Sequence, residues 1–324
     1  MMPDPKRLTH KIRERLRARS LGARPTPLAA ASAALTRAVA LDALWLKRED
    51  AIGGNKVRSL EFLLAMVQPG DVVLTIGGTG STHCLATAIH GRALGCRVAL
   101  AQFPQPDSDT ALATAAVTAT YADILCRSRT HIGFPLALLR AWLAARRLGR
   151  VVRVPGGGAS APGVVGQLLA GLELAEQMNE PPHAIVTPLG SGGTAAGLAL
   201  ATATLGWPTR VVAVRVAPRI VANRRRIERL AGAAGRLLAR YDVPLPALGS
   251  PLPVVVVHGL GRGYGHPTAA GESARLLAAE HGLVLDSTYG GKAFAALPDC
   301  ARRGFRRVVF WHTFARPSIP EPAA

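Results

Sequence analysis

Lysine is scarce in this 324-residue chain: Lys6, Lys11, Lys47, Lys56 and Lys292 stand beside 34 arginines. Arginine forms no ordinary Schiff base, so any chemistry that needs a nucleophilic amine has five side chains to draw on. Cysteine is scarce as well. Cys84, Cys96, Cys126 and Cys300 lie far apart with no C-x-x-C pair, which fits reduced, mostly buried thiols better than a disulfide frame or a zinc site. No stretch of about 18 apolar residues is free of glycine and polar interruption, so no membrane span is read. The start lacks a compact apolar segment after its basic residues, so no secretory leader is expected and a cytoplasmic location is. Aromatic residues make up 5% of the chain and none is interleaved with the bases. No zinc-finger or RNA-recognition signature accompanies them.

What the chain does have is positive charge and apolar mass. Lys and Arg total 39 against 20 Asp and Glu, a net charge of +19, and 49% of residues are hydrophobic. That apolar fraction supports one large or two medium globular domains. The charge concentrates in Lys6 to Arg24 and in Arg215 to Arg229, which includes Arg224, Arg225 and Arg226. In the first region Leu8, Ile12 and Leu16 recur every fourth residue, so the bases would decorate the polar side of a short amphipathic helix. A nucleic-acid partner is one reading of that excess; a solvated basic face is the favoured one.

From Ser59 onward helix and strand patterns alternate. The pattern predicts helices at Ser59 to Val67, Thr82 to Leu94, Asp109 to Ala119 and Pro135 to Arg147. Strands are predicted at Asp71 to Ile76, Cys96 to Ala101, Ala122 to Cys126 and Val151 to Val154. After a Gly-rich loop, a helix to about Met178, a strand at His183 to Pro188 and a helix from near Gly193 follow, with further strands at Arg210 to Val216, Pro253 to His258 and Arg307 to Trp311. Short apolar strands alternating with helices imply parallel sheet covered on both faces, in two doubly wound α/β units. Such units place a ligand cleft at the carboxyl ends of strands.

Four loops at strand-to-helix junctions carry chemistry. Gly53-Gly54-Asn55-Lys56 presents a lysine where a helix starts, and a desolvated lysine there can act as amine nucleophile or base. Gly190-Ser191-Gly192-Gly193-Thr194 frees backbone N–H groups at a helix N-terminus, a setting suited to phosphate; it lacks the ending of a nucleotide-triphosphate loop. Gly77 to His83 offers a hydroxyl and backbone donors to a carboxylate. Asp286 to Lys292 puts Tyr289 where a flat ring can stack on a planar cofactor. Taken singly, the first is more often a turn with a solvated lysine, the second is equally well read as tight packing by small residues, and each of the other two is readable as a mere connector.

Together, and in this order, they resemble the D-cysteine desulfhydrase and 1-aminocyclopropane-1-carboxylate (ACC) deaminase family, fold-type II enzymes that use pyridoxal 5′-phosphate. The resemblance runs from about Thr26 to Pro317 through Leu46 to Asp50, Gly53 to Phe62, Ser81-x-His83, Gly190 to Thr194, Tyr264-Gly265 and Leu285 to Ala293. It implies a tryptophan synthase beta-like architecture with the cofactor in the interdomain cleft: a large cofactor-binding domain of residues 1–58 and 168–324, with 1–24 a basic extension, and a small α/β domain of residues 59–167. It further implies Lys56 as the Schiff-base lysine and the base acting at Cα. Asn55 would bond the cofactor ring oxygen, Ser191, Gly192, Gly193 and Thr194 would cradle the phosphate, and Tyr289 would stack on the pyridine. Ser81 and Tyr264 would be active-site hydroxyls, and Ser81, Thr82 and His83 the substrate-binding segment. The implied reaction is removal of the α-proton and β-elimination on a small amino acid, giving a keto acid and ammonia, in a homodimer with no metal.

The pattern departs from the family in places. Gly290 stands where a Glu, Thr or Ser faces the pyridine nitrogen, Thr82 where Asn is usual, Ser59 where a basic residue is usual, and Phe314-Ala315 where two glycines follow the His-Thr. These departures point to an altered substrate or a specialised pathway. β-Replacement, racemisation or an unusual elimination is the enzymatic alternative, and a non-catalytic ligand- or nucleic-acid-binding protein the other.

Overall fold

The structure is a computed structural model that describes residues 3–246, 249 and 251–316; Pro317 and the outermost ends of the expected large domain lie outside these. The chain divides into two compact units, one of Met1–Ala65 with Ala159–Phe314, the other built on Met66–Gly158.

Helix α1 (Pro5–Arg15) opens the larger unit, with Asp4 accepting from the Arg7 N–H at 3.1 Å and proline at its first position, both ordinary start signals. The four-residue spacing puts Leu8 and Ile12 on one face, and both are buried in the unit's main core. The basic start is therefore docked through its apolar stripe and only partly a solvated face: the Arg13 guanidinium bonds Glu61 at 2.8 Å.

Then come β1 (Leu28–Ala30), α2 (Ala33–Ala38), β2 (Ala43–Arg48) and α3 (Lys56–Leu63). Helix α3 begins three residues before the predicted helix and belongs whole to the larger unit. The smaller unit follows as β3 (Val72–Gly78), α4 (Thr82–Ala93), β4 (Arg97–Phe103), α5 (Asp109–Tyr121), β5 (Ile124–Arg127), α6 (Phe134–Arg146) and β6 (Val151–Arg153). Its four strands pair in the order β5-β4-β3-β6, all parallel.

The chain then returns through α7 (Ala161–Gln177), β7 (Ala184–Leu189), α8 (Gly193–Thr204), β8 (Arg210–Arg215), α9 (Arg224–Arg240), β9 (Val254–His258), α10 (Ala269–Glu280), α11 (Gly290–Phe294), α12 (Leu297–Arg302) and β10 (Arg307–His312). The six-stranded sheet has the order β1-β2-β10-β7-β8-β9, with only β1 antiparallel. Alternation along β10 sends Val309 and Trp311 into a core with α7, α8 and α9, and Val308 and Phe310 into a second core with α2, α10, α11 and α12. Both faces are thus covered, as continuous apolar strands require. Part of the second basic run is α9, whose Ile227, Leu230, Ala231, Ala234 and Leu238 are buried. Among the described residues no helix is long and apolar enough to cross a membrane.

Candidate active site

After β2 the chain turns through Gly53 and Gly54, whose φ angles of 85° and 100° suit glycine, and enters α3 with Lys56 at its first position. Asn55 precedes it in αR conformation and makes no side-chain cap. Its amide turns away and donates to the Thr194 hydroxyl at 2.7 Å. The Asn55 N–H donates to the Thr313 carbonyl at 3.3 Å, and its own carbonyl accepts from the Gln167 amide at 2.7 Å. Burial pushes the Lys56 ammonium down to about 8, because the charged form loses hydration.

Thr194 belongs to the loop that follows β7. Gly192, at φ 94°, is the cap of α8, so the first N–H groups of that helix lack helical acceptors and its dipole favours an anion. The Ser191 carbonyl accepts from the Arg226 guanidinium at 2.8 Å, which ties the loop to α9. Tyr289 closes on the same loop: a Cβ placed on Gly190 would lie 3.3 Å from its ring. The Tyr264 and Tyr289 hydroxyls are 2.6 Å apart and their rings meet edge to face.

The turn that carries Tyr289 is built on Asp286. Its buried carboxylate accepts from the N–H groups of Thr288, Tyr289 and Gly290 at 3.1, 2.8 and 2.8 Å. Burial raises its pKa against the pull of these bonds. A Cβ on Gly290 would stand 3.0 Å from Asp286 Oδ1 and 3.3 Å from Leu285. Position 290 is therefore packed tightly around a glycine.

Asn55, Lys56, Ser191, Gly192, Gly193, Thr194, Tyr264 and Tyr289 thus form one connected group within the larger unit. The remaining sequence candidates, Ser81, Thr82 and His83, lie in the smaller unit at the start of α4. Ser81 caps α4, its hydroxyl oxygen accepting from the Cys84 N–H at 3.3 Å, and the same hydroxyl lies against the Cys84 thiol. Thr82 is half-buried. His83 is buried, its Nε2 lying 2.9 Å from the Thr75 hydroxyl, which donates to the Val154 carbonyl at 2.8 Å. That arrangement makes Nε2 the donor and turns this edge of the ring toward β3.

The reading of Ser59 as a lost phosphate contact has a different structural setting. Its hydroxyl donates to the Gly163 carbonyl at 2.9 Å and accepts from Gln167 at 3.1 Å, so the side chain faces α7. Gln167 went unnoticed in the sequence, as did the role of Lys47. The Lys47 ammonium is fully buried and bonds Glu173 at 2.6 Å, Gln177 and the Thr26 carbonyl. Arg58 forks onto Glu49 at 2.8 Å and onto Glu173. A signal for this network was present: Glu173 and Gln177 are four residues apart near the end of a largely apolar helix. Beside it, burial alone would raise the Asp50 carboxyl, but Arg48 and the His312 ring 3.1 Å away hold it below the usual carboxylate range.

Comparison with known proteins agrees with this geometry. Residues 19–313 match the model of the pyridoxal-phosphate dependent enzyme family. The chain is 32% identical over 296 residues to D-cysteine desulfhydrase of Serratia proteamaculans, covering 85% of this chain and 87% of that one. It is 31% identical over 292 residues to a Pyrococcus furiosus protein provisionally named 1-aminocyclopropane-1-carboxylate deaminase, covering 83% and 84%. A solved ACC deaminase homologue superposes with a TM-score of 0.81 at 26% identity, covering 97% of this chain and 95% of that one. The chain belongs to the pyridoxal-phosphate-dependent enzymes of fold type II, within the lyase and deaminase branch, and pyridoxal 5′-phosphate is its cofactor.

Proposed function

We propose that the protein is a desulfhydrase-like lyase of a small amino acid, with D-cysteine as its first candidate substrate, and that Lys56 is the residue that carries the cofactor. The observation that supports this best is the Asn55–Thr194 hydrogen bond of 2.7 Å, which joins the lysine turn to the phosphate-type loop across 139 residues of sequence. The donors fit the group. A buried amine of lowered proton affinity, uncapped N–H groups at the start of α8 and an aromatic ring over Gly190 match an aldehyde, a phosphate and a pyridine respectively. Bound there, the cofactor supplies an electron sink for charge developing at the substrate Cα.

The chain's own residues divide the remaining work. Ser191, Gly192, Gly193 and Thr194 would hold the phosphate with their N–H groups and the Thr194 hydroxyl. The Asn55 amide, which donates to Thr194 with one N–H, would donate to the ring oxygen with the other, and Tyr289 would stack on the pyridine. Lys56, half neutral near pH 8, accepts the α-proton at Nζ. The Tyr264–Tyr289 hydroxyl pair can hold or pass a proton to a β leaving group. By the family resemblance Ser81 would be the donor for the substrate carboxylate, and Thr82 and His83 belong to the same segment. D-cysteine and water would give hydrogen sulfide, ammonia and pyruvate. A cytoplasmic homodimer is part of the same reading.

A second reading, a related reaction such as β-replacement or racemisation, is favoured by Gly290, a tightly packed glycine that offers no side chain where the family carries a Glu, Thr or Ser. The test is a screen of D- and L-amino acids and ACC for keto-acid and ammonia release, with Lys56→Ala as control. Release from D-cysteine, lost in Lys56→Ala, is the expected result. Racemisation or replacement without keto acid would establish the second reading instead.

A further inference from the structure

Three helices converge where Lys56 enters its site, and one side chain lies at their meeting point. Gln167, 1% exposed on α7, donates through Nε2 to the Asn55 carbonyl at 2.7 Å and to the Ser59 hydroxyl at 3.1 Å. Ser59 in turn donates to the Gly163 carbonyl at 2.9 Å, one turn earlier on α7. Both protons of a single amide are thus committed to the first turn of α3, on the peptide that leads into Lys56 and on the side chain three residues after it. Small residues allow the approach. A Cβ on Gly166 would lie 1.9 Å from the Arg58 carbonyl, and one on Gly197 of α8 would lie 2.3 Å from the Gln167 Cβ. Helix α8 carries Thr194, the acceptor of the Asn55 amide. The bonds Gln167 to Asn55 and Asn55 to Thr194 therefore form one chain from α7 through the lysine turn to the phosphate-type loop.

We infer that Gln167 is a positioning residue, whose amide, with Ser59 as its second acceptor, fixes the Asn55–Lys56 peptide against α7 and so sets where the Lys56 amine stands relative to Thr194. The inference rests on the reading of Lys56 as the cofactor lysine. A lysine at the first turn of an eight-residue helix has little intrinsic helix stability behind it, because short helices depend on tertiary packing. An unanchored turn admits water, and a hydrated ammonium regains its ordinary proton affinity. The bond from Gln167 holds the buried Asn55 carbonyl more firmly than packing alone, since a buried carbonyl left without its donor is costly, and the second bond ties the same amide to Ser59. Ser59 fits the same arrangement: its hydroxyl both accepts from Gln167 and donates to the Gly163 carbonyl.

The test uses Gln167→Met, of similar length without the donor, together with Gln167→Glu and Ser59→Ala. The first readout needs no cofactor: the pH midpoint at which a small amine-reactive acylating reagent modifies Lys56 in cofactor-free protein, followed by peptide mass spectrometry. The expected midpoint in Gln167→Met is higher than wild type by about one unit, a tenfold change in proton affinity. The second readout is titration of the cofactor-free protein with pyridoxal 5′-phosphate, expected to weaken about tenfold, roughly the loss of one buried hydrogen bond. In the loaded protein kcat should fall with KM changing less. Gln167→Glu should recover cofactor affinity on acidification, when a protonated carboxyl can donate to the Asn55 carbonyl. A folded Gln167→Met protein with unmoved Lys56 midpoint and unmoved cofactor affinity overturns the inference. If Gln167→Met does not fold, Gln167→Glu decides by its pH-dependent affinity, and Ser59→Ala by a smaller shift in the same direction; no shift in either overturns it. Failure of the underlying reading is separate, because it appears as cofactor attached to a lysine other than Lys56, whatever the Gln167 variants do.

Discussion

Lys56, its proton affinity lowered to about 8 by burial, should betray itself chemically in the cofactor-free protein. At pH 7.5 such an amine is about one quarter neutral, whereas an amine near 10.5 is about one thousandth neutral, a ratio of roughly 200. A less basic amine is also a weaker nucleophile, and a dependence of about half a log unit per pKa unit, as for thiols, reduces the advantage to roughly tenfold. Lys6 and Lys11 are exposed on α1 and serve as internal references. The assay is competitive acylation at limiting reagent across pH 6 to about 11, with each lysine's modification read by peptide mass spectrometry. Lys56 should give a midpoint near 8 in the folded protein and near the ordinary lysine value of about 10.5 in protein unfolded by denaturant. A Lys56 profile that is the same in folded and unfolded protein would refute the desolvation argument, and with it the claim that this amine can take a proton near neutral pH.

Linkage gives the same site a stability signature. Between about pH 8 and 10.5 the unfolded chain keeps the Lys56 proton that the folded chain has lost, so wild-type stability should rise with pH. Relative to Lys56→Met the gain is at most about 3 kcal/mol, and denaturant midpoints of cofactor-free protein at several pH values would measure it. Arg58→Met should cost about 3–5 kcal/mol in the same assay, because it strands the Glu49 and Glu173 carboxylates in the core. Ile12→Ala should cost about 2–4 kcal/mol, since the basic start is docked through that side chain, whereas Arg15→Ala on the exposed face should change little. Gly290→Ser should cost about 1–3 kcal/mol and weaken cofactor binding by loosening the Asp286 turn, which a melting curve and a cofactor titration would separate.

The parts of this molecule that were legible in its sequence are those whose signal is local. The alternation of apolar strands with helices anticipated both parallel sheets, because each βα step carries its own periodicity. The four-residue spacing of Leu8 and Ile12 marked a helix correctly but could not tell that its apolar face is buried. Lys56 stood out because its glycine turn and its helix start are adjacent in the chain. The elements that escaped notice include the short edge strand β1 and helices α2, α10 and α12, and α9, where arginines obscured a buried face of Ile227, Leu230 and Leu238. The supports of the site escaped for a different reason. Asn55 meets Thr194 across 139 residues, Gln167 meets Asn55 across 112 and Ser59 meets Gly163 across 104. Nothing local distinguishes Gln167 from a surface glutamine, and only the convergence of α3, α7 and α8 gives it two acceptors.

The central claim is that Lys56, and no other of the five lysines, carries the cofactor. Protein loaded with pyridoxal 5′-phosphate, reduced with borohydride and digested should show the phosphopyridoxyl mass on the peptide that contains Lys56, and Lys56→Ala should show none. The same mass on Lys47 or Lys292, or its persistence in Lys56→Ala, would contradict the account.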